Sequence, residues 1–287
     1  MTDGSSDFAR ELSAALEGHR LTPTQHRIAA YLEANPSEGA TLDSVELASR
    51  VGVSQASVSR FAHAAGFEGY APFRRWLRRF VAARRPEATK AGSTDRIADA
   101  VDDEIAALDA LRSRFLEQRA DLERAAHLLA TSAALPIVGL RGSAALAHHV
   151  AFFAGRFHAH VTLVTTGDSV GLDTVRQSAD AGATAALVIA VSRPARGTDA
   201  VMQLARDVGL DVVLLTNSSL HPLTEQASVV LPVGTSHKLM FDPMSAPMML
   251  ASLLLDAMTD IHPDVTRERL EAFEQAAQRH GYFLSPD

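Results

Sequence analysis

The segment from residue 41 to residue 66, TLDSVELASRVGVSQASVSRFAHAAG, constrains the fold of this chain more than any other. Apolar residues recur at helical spacing in two blocks on either side of Gly52, a pattern that predicts two helices joined by a tight turn. Gly52 lacks a Cβ and can take the positive φ that ends a helix. Thr41 or Asp43 is suited to cap the first helix, and Ser54 to cap the second.

The predicted helices each have an apolar inner face. In the first it consists of Leu42, Val45, Leu47, Ala48 and Val51, and in the second of Val58, Phe61, Ala62 and Ala65. Small and amide side chains at the outer start of a second helix suit a DNA major groove, where glutamine pairs with adenine and arginine with guanine or phosphate. The predicted DNA-binding residues of this helix are Ser54, Gln55, Ala56, Ser57, Ser59 and Arg60. The alternative is an ordinary helical hairpin with a polar solvent face.

Three more helices are predicted around this motif. They cover residues 7–18, the segment that starts at Thr22-Pro23 and is broken at Asn35-Pro36, and residues 70–85. The last has an apolar stripe made of Phe73, Trp76, Leu77, Phe80 and Val81, with Arg74, Arg75, Arg78 and Arg79 on its other face. We expect Arg74 and Arg75 to contact DNA phosphates, which adds affinity without reading sequence. A solvated helix face is the alternative for each of these arginines.

The distribution of charge along the chain fits DNA binding by the N-terminal part better than the net charge of the whole chain does. The net charge is −7, but residues 1–85 hold eleven arginines against nine acidic residues, so the acidic excess belongs to residues 86–287. The chain has no cysteine, which excludes disulfides and thiolate metal sites. It also lacks a secretion signal and an apolar run that could span a bilayer, so a cytoplasmic protein is expected.

Residues 84–94 are polar, contain Pro86 and Gly92, and predict an interdomain linker. Helices are expected to resume near residue 95. An apolar stripe then recurs every three or four residues, at Ile97, Val101, Ile105, Leu108, Leu111 and Phe115. We expect this stripe to pack on the C-terminal domain or on a partner subunit. A further helix is predicted over residues 121–132.

From residue 135 onward the chain alternates short apolar runs with helical segments. The runs are residues 135–140, 161–166, 184–192, 211–216 and 228–233, and the final two helices are predicted over 243–260 and 263–280. Buried runs separated by helices predict a doubly wound α/β domain with a five-stranded parallel sheet. In such domains ligands bind beyond the carboxyl ends of the strands, where the strand order reverses.

The turns at those carboxyl ends predict an anion site, because backbone N–H groups and helix dipoles favour a phosphate there. The predicted ligand-binding residues are Gly139, Arg141, Gly142, Ser143, Ser192, Arg193, Arg196 and Thr198. Ser143 has a hydroxyl to donate, and the last four surround the same group. Ser143 and Thr198 are alternatively simple helix N-caps. Asp168 is expected to be an N-cap, with a hydroxyl-binding carboxylate as the alternative.

Together these parts resemble the RpiR/MurR transcriptional regulators, which join a helix-turn-helix head to a phosphosugar-binding SIS (sugar isomerase) domain. The resemblance rests on residues 21–32 and 47–74 and on the turns at 139–144 and 191–200. In the family the second of these turns is often S-x-S-G-x-T. Here Ser192 and Thr198 match its ends, while Arg193, Pro194, Ala195 and Arg196 replace its middle with one extra residue.

The resemblance implies a two-domain chain: a helical head over residues 1–85, a linker over 86–94 and an SIS domain of flavodoxin-like strand order over 95–287. It implies a cytoplasmic regulator that binds a double-stranded DNA operator, responds to a phosphorylated sugar or related acid, and forms a homodimer or tetramer. No cofactor, metal or membrane contact is expected.

Other functions remain as alternatives. An SIS-type aldose–ketose isomerase needs a general base, for which His221, His237 and Lys238 are the candidates. An SIS protein that oligomerises without sensing a metabolite is a third possibility. The chain lacks the G-x-G-x-x-G, H-E-x-x-H and G-x-S-x-G motifs of dinucleotide enzymes, zinc peptidases and serine hydrolases.

Overall fold

A computed structural model describes residues 12, 15, 16, 21–83, 93–117, 119–191, 194–217, 222–235, 239 and 241–284, without the side chains of residues 34, 37, 80–83, 93–96, 117 and 222. Most of the helix predicted over residues 7–18 and nearly all of the predicted linker lie outside these residues. Two compact units are present, and the chain first passes from one to the other between Asp109 and Ala110; the segments 217–225 and 234–243 also belong to the first unit. The predicted domain boundaries, at residues 85 and 94, stay a prediction.

The described part of the head is helical. Its helices are α1 (Pro23–Ala34), α2 (Pro36–Gly39), α3 (Ser44–Val51), α4 (Gln55–Ala64) and α5 (Tyr70–Ala83). Thr22 caps α1 in a reciprocal capping box with Gln25, and Pro23 is the first helical residue, as predicted. Phe61 and Phe73 are fully buried and meet edge to face with ring centroids 5.6 Å apart. They lie in one hydrophobic core, which holds α1, α3, α4 and α5 together.

The second unit alternates strands and helices in the predicted way. Its elements are α6 (Ser93–Glu117), which crosses the boundary, then α7 (Arg119–Thr131), β1 (Leu135–Gly139), α8 (Ala144–Ala154), β2 (Val161–Val164), α9 (Ser169–Asp180), β3 (Ala185–Ala190), α10 (Arg196–Asp207), β4 (Asp211–Thr216), β5 (Val229–Pro232), α11 (Ser245–Thr259) and α12 (Pro263–His280). Short 3-10 turns occupy Arg141–Ser143 and Pro222–Gln226.

The sheet has the strand order β2-β1-β3-β4-β5, and every pairing is parallel. This confirms the doubly wound fold in flavodoxin-like order. Val138 in β1 pairs with Val164 on one side and Val188 on the other, so β1 lies inside the sheet. All residues of β1 and β3 are buried, as expected for parallel strands covered on both faces by helices. The sheet grows from β1 to β2 on one side and from β1 to β3 on the other, so the strand order reverses there and the switch point lies at the carboxyl ends of β1 and β3.

Two apolar predictions differ from the structure. Val45 on α3 is exposed, although it was expected on the inner face of that helix. On α6 the predicted stripe divides: Leu111 is buried, whereas Ile97, Val101, Ile105 and Leu108 are exposed. Packing of these four residues on the C-terminal domain is therefore wrong for a single chain.

In the described part of the chain, no helix combines the length and the apolar character that crossing a membrane requires.

Candidate DNA-binding helix and candidate anion site

The turn between α3 and α4 is built as the sequence predicts. Asp43 caps α3 by accepting hydrogen bonds from the backbone N–H groups of Val45 and Glu46, at 2.8 and 2.9 Å. Gly52 ends α3 with a φ of 70°, in the left-handed region that favours glycine. Ser54 caps α4 through a hydrogen bond from the N–H of Ser57. These caps fix the angle at which α4 leaves the turn.

One residue that sequence reasoning missed holds this turn against α1. The guanidinium of Arg27 donates to the carbonyl oxygens of Val51 and Gly52, at 2.6 and 3.2 Å. These carbonyls are at the C-terminus of α3, where the helix leaves them without internal partners and where a positive charge is favourable. No local sequence pattern predicts this contact, because Arg27 lies 24 residues before Val51.

The outer face of α4 differs from the prediction at one position. Gln55, Ala56 and Arg60 are exposed and Ser59 is partly exposed, but Ser57 is buried. The Ser57 hydroxyl lies 2.9 Å from the Ser54 hydroxyl, with which it shares a hydrogen bond. It also accepts a hydrogen bond from Arg60 at 3.1 Å, so it orients that arginine. The expectation that Ser57 lies outside is wrong, because its side chain completes the cap of its own helix.

The side chain of Gln55, the first residue of α4, is also held by a hydrogen bond. The Gln55 side-chain amide donates to the Ser44 hydroxyl at 3.0 Å, which links the start of α4 to the start of α3. Gln55 and Arg60 are therefore both exposed and both oriented by a neighbouring hydroxyl. An amide and a guanidinium held in this way at the start of an exposed helix suit the donor and acceptor pattern of base edges in a major groove.

The arginines of α5 separate into two groups. Arg74 donates to the carbonyl of Leu42 at 3.3 Å, and Arg78 donates to the carbonyl of Ala40 at 2.8 Å. The Tyr70 hydroxyl donates to the same Leu42 carbonyl at 3.1 Å, and burial raises the pKa of Tyr70 to about 12, so it stays a donor. These contacts fasten α5 to the segment before α3.

Arg75 and Arg79 are exposed on α5 and free of these contacts. The phosphate contacts predicted for Arg74 and Arg75 stay predictions, and the structure gives Arg74 a packing role in addition.

The turn after β1 is narrow because two residues crowd it. A Cβ on Gly139 would lie 2.6 Å from both the Cβ of Ala147 and the carbonyl oxygen of Ser143, so only glycine fits. Arg141 has a φ of 53°, a conformation that costs energy in a residue with a side chain. Arg141 and Gly142 are exposed, while Ser143 is buried.

The Ser143 hydroxyl joins the turn after β1 to the residue that follows β3. It accepts from the N–H of Val191 at 3.1 Å and donates to the Val191 carbonyl at 3.3 Å. Its single O–H is therefore used within the fold, and the predicted donation to a ligand stays a prediction. Ser143 occupies the N-cap position of α8, but its side chain makes no capping hydrogen bond. The N-cap alternative is wrong for Thr198, because Ala195 occupies that position in α10 and Thr198 is buried in its first turn.

Two loops meet over the carboxyl end of β1. Gly167, after β2, and Gly197, at the start of α10, are packed so closely that a Cβ on Gly167 would lie 2.5 Å from the Cα of Gly197. The same Cβ would lie 2.9 Å from a methyl of Leu140, the residue that follows β1. Glycine at both positions lets the loops on either side of β1 converge at the switch point. Sequence reasoning missed this contact, since only the fold shows that the two turns are neighbours.

The helices that begin at this edge differ in their capacity for an anion. Asp168 caps α9, as predicted, by accepting from the N–H groups of Val170 and Gly171 and from the Thr166 hydroxyl. The hydrogen bond from Gly171 and then that from Thr166 hold the pKa of Asp168 below its usual value, so it stays negative. No side chain caps α8 or α10. The exposed Arg141 and Arg196 lie at these two starts, which follow the adjacent strands β1 and β3.

Several predicted residues lie outside the described residues. They are the ligand candidates Ser192 and Arg193 and the candidate bases His221, His237 and Lys238. Within the described ranges, no cluster of three or more histidine or acidic side chains could hold a metal ion.

The head and the sheet together define a helix-turn-helix protein with a doubly wound α/β second domain. Residues 12–84 match the helix-turn-helix domain of the rpiR family. The N-terminal part of the chain is thereby identified as a helix-turn-helix domain of the rpiR type. No curated protein matches the chain in a sequence comparison.

Solved structures share the fold at low identity. One, described as the Vibrio vulnificus NanR protein complexed with ManNAc-6P, is 17% identical with a TM-score of 0.55, over 95% of this chain and 98% of that one. Another, the sugar isomerase domain of the RpiR transcription factor from Sphaerobacter thermophilus, is 20% identical with a TM-score of 0.55, over 62% of this chain and 97% of that one. The second domain thus has the fold of a sugar isomerase domain.

Proposed function

We propose that the C-terminal domain of this regulator binds a phosphorylated sugar or a related anionic metabolite and thereby changes the affinity of the head for a DNA operator. The observation that carries the DNA part is the exposed start of α4. There Gln55 and Arg60 are exposed and are held by Ser44 and Ser57, while the opposite face of the helix is fixed in the head core. Side chains fixed in this way lose little entropy when they meet base edges.

The effector part rests on the two uncapped helix starts. Arg141 and Arg196 add positive charge to the backbone N–H groups at the starts of α8 and α10, and both are exposed. The negative Asp168 at α9 directs an anion away from that start. A structure of the same fold described as a complex with ManNAc-6P supports a phosphorylated sugar as the ligand class. Two arginines favour a metabolite with more than one anionic group.

The regulatory link between the two sites is thermodynamic. The effector must bind the DNA-competent and DNA-incompetent arrangements with different affinities, since an equal affinity shifts nothing. We propose that the chain acts as a homodimer or tetramer in the cytoplasm, where two heads would read half-sites about 34 Å apart.

A gel shift on duplex from the region upstream of the coding sequence tests the DNA part. The double variant Gln55→Ala, Arg60→Ala should lower specific affinity by about 30-fold or more, because two base contacts at roughly 1–3 kcal/mol each remove at least about 2 kcal/mol. Arg206→Ala, which removes an exposed arginine of α10, is the matched control and should bind like wild type. Equal affinity of wild type and the double variant would refute the assignment of α4.

A second measurement tests the effector part. Phosphorylated sugars should raise the melting temperature of the wild type and change its operator affinity. The double variant Arg141→Ala, Arg196→Ala should lose both responses and keep its affinity for DNA in the absence of effector. The same sugars should be assayed for isomerisation, and turnover would favour the enzyme alternative instead.

A further inference from the structure

The helix α6 carries an exposed apolar face that no other part of the described chain covers. Ile97, Val101 and Ile105 are 67%, 54% and 52% exposed. Leu108 and Leu116 continue the same face, at 37% and 74% exposed. These five residues, here called the α6 stripe, recur at spacings of three, four or eight, which places them on one side of a helix. Leu111 and Ala100, on the adjacent side, are buried and attach the helix to its own chain.

The size of the α6 stripe indicates an interface. Five large side chains exposed to this degree present roughly 500 Å² of apolar surface, which is near the largest patch on a typical monomer. A stable protein interface buries about 800 Å² on each partner, so the stripe would form the apolar centre of one. Single exposed hydrophobic residues need no explanation, but five on one side of the same helix do.

We propose that a second copy of this chain covers the α6 stripe, with the two α6 helices antiparallel. The proposal deepens the self-association included in the proposed function and rests on it for the oligomeric state. The orientation follows from the position of the stripe residues. When Ile97 lies opposite Leu116 of a second copy, Ile105 lies opposite Leu108, because each step forward on one helix is a step back on the other. All the stripe residues but Val101 then meet another stripe residue.

The charges of α6 select the same orientation. Its first part is acidic, with Asp99, Asp102, Asp103, Glu104 and Asp109, and Arg112 and Arg114 follow. In the antiparallel register Arg112 lies opposite Val101 of the second copy, within the acidic part. In a parallel pair Arg112 would lie opposite Arg112 and acids opposite acids, which is unfavourable.

The absence of cysteine from the sequence permits a direct test of orientation. In the full-length protein, Ile97→Cys together with Leu116→Cys should give a disulfide-linked dimer under mild oxidation. Ile97→Cys alone should give little, because in the antiparallel register residue 97 does not meet its own copy. Efficient cross-linking by the single variant would contradict the orientation.

The oligomeric state provides the second test, by sedimentation equilibrium of the full-length protein. Ile105→Glu should weaken self-association at least tenfold, since it places a charge in the centre of the interface, and Arg112→Glu should weaken it less. Ala106→Glu, on the exposed opposite side of α6, is the matched control and should associate like wild type. All three positions are exposed, so the fold of the chain should be unchanged, which circular dichroism checks.

The outcomes separate this inference from the proposed function. A wild-type oligomer that Ile105→Glu leaves intact would show that the interface lies elsewhere, while self-association itself stands. A wild-type monomer would overturn both. Loss of association in Ile105→Glu together with the double-cysteine cross-link supports the α6 interface, whatever the protein does with DNA.

Discussion

The substitution Ser143→Ala distinguishes a structural role of the Ser143 hydroxyl from a role in ligand binding. The sequence predicted the ligand contact, whereas the structure shows a hydrogen-bonded bridge. The hydroxyl joins the turn after β1 to Val191, immediately after β3, by one donated and one accepted hydrogen bond. Ser143→Ala removes both bonds and leaves the buried N–H of Val191 without this partner. A ligand contact alone would affect binding and not the stability of the ligand-free protein.

The magnitude follows from the burial of the bridge. Leaving a buried donor unsatisfied costs about 1–3 kcal/mol. A domain of 150–250 residues shifts its melting temperature by roughly 2–4 °C per kcal/mol, so Ser143→Ala should melt about 2–12 °C lower. The expected change is large enough to measure by calorimetry without any ligand.

The assay is calorimetry of the full-length protein without effector, followed by the gel shift. Ser169→Ala, which removes an exposed hydroxyl at the first position of α9, is the matched control and should melt within a degree or so of wild type. Basal DNA affinity should be the same for both variants. A Ser143→Ala protein that melts like wild type would show that the bridge contributes no stability, and the reasoning from its hydrogen bonds would be wrong.

Three further predictions concern stability. Gly52→Ala should cost the head about 1–3 kcal/mol in denaturant unfolding, because φ is 70° and the new Cβ would lie 3.1 Å from the Arg27 guanidinium; an unchanged midpoint would contradict it. Phe73→Ala, at a fully buried ring, should cost about 3–5 kcal/mol and abolish DNA binding, whereas the exposed Phe152→Ala should cost far less. Burial lowers the pKa of His158, so its contribution is complete above the unfolded pKa of 6.5 and is lost as pH falls through the folded value. Wild type should therefore lose more free energy of unfolding between about pH 7 and pH 5 than His158→Gln, and parallel pH profiles would oppose this.

The head was the more predictable part, because its signals are local. Asp43, Gly52 and Ser54 each act on the backbone within three residues of themselves, so their effect can be read from the neighbouring sequence. The burial of Ser57 was not predictable from periodicity, because the Ser54 cap and Arg60 draw its hydroxyl inward. The use of Arg74 on the Leu42 carbonyl depends on a contact across 32 residues.

The candidate anion site was predictable in place but not in detail. Apolar runs alternating with helices predict parallel strands whose carboxyl ends carry the turns, and this fixed Arg141 and Arg196 at one edge. It did not show that the hydroxyl of Ser143 is used by Val191 or that Gly167 lies on Gly197. Each of these contacts joins turns that are distant in the chain.

The sequence by itself determined which segments become helices and strands, since hydrophobic period, caps and glycines act over a few residues. It also indicated that the apolar residues of α6 from Ile97 to Leu108 share one face of that helix. Tertiary structure alone decided which apolar side chains are buried and which polar groups have a hydrogen-bond partner within one chain. Leu111 is buried and Ile105 is exposed, and the Ser143 hydroxyl is hydrogen-bonded to Val191. The physical reason is that burial and hydrogen-bond pairing depend on which distant segments meet in space, and no local pattern specifies that.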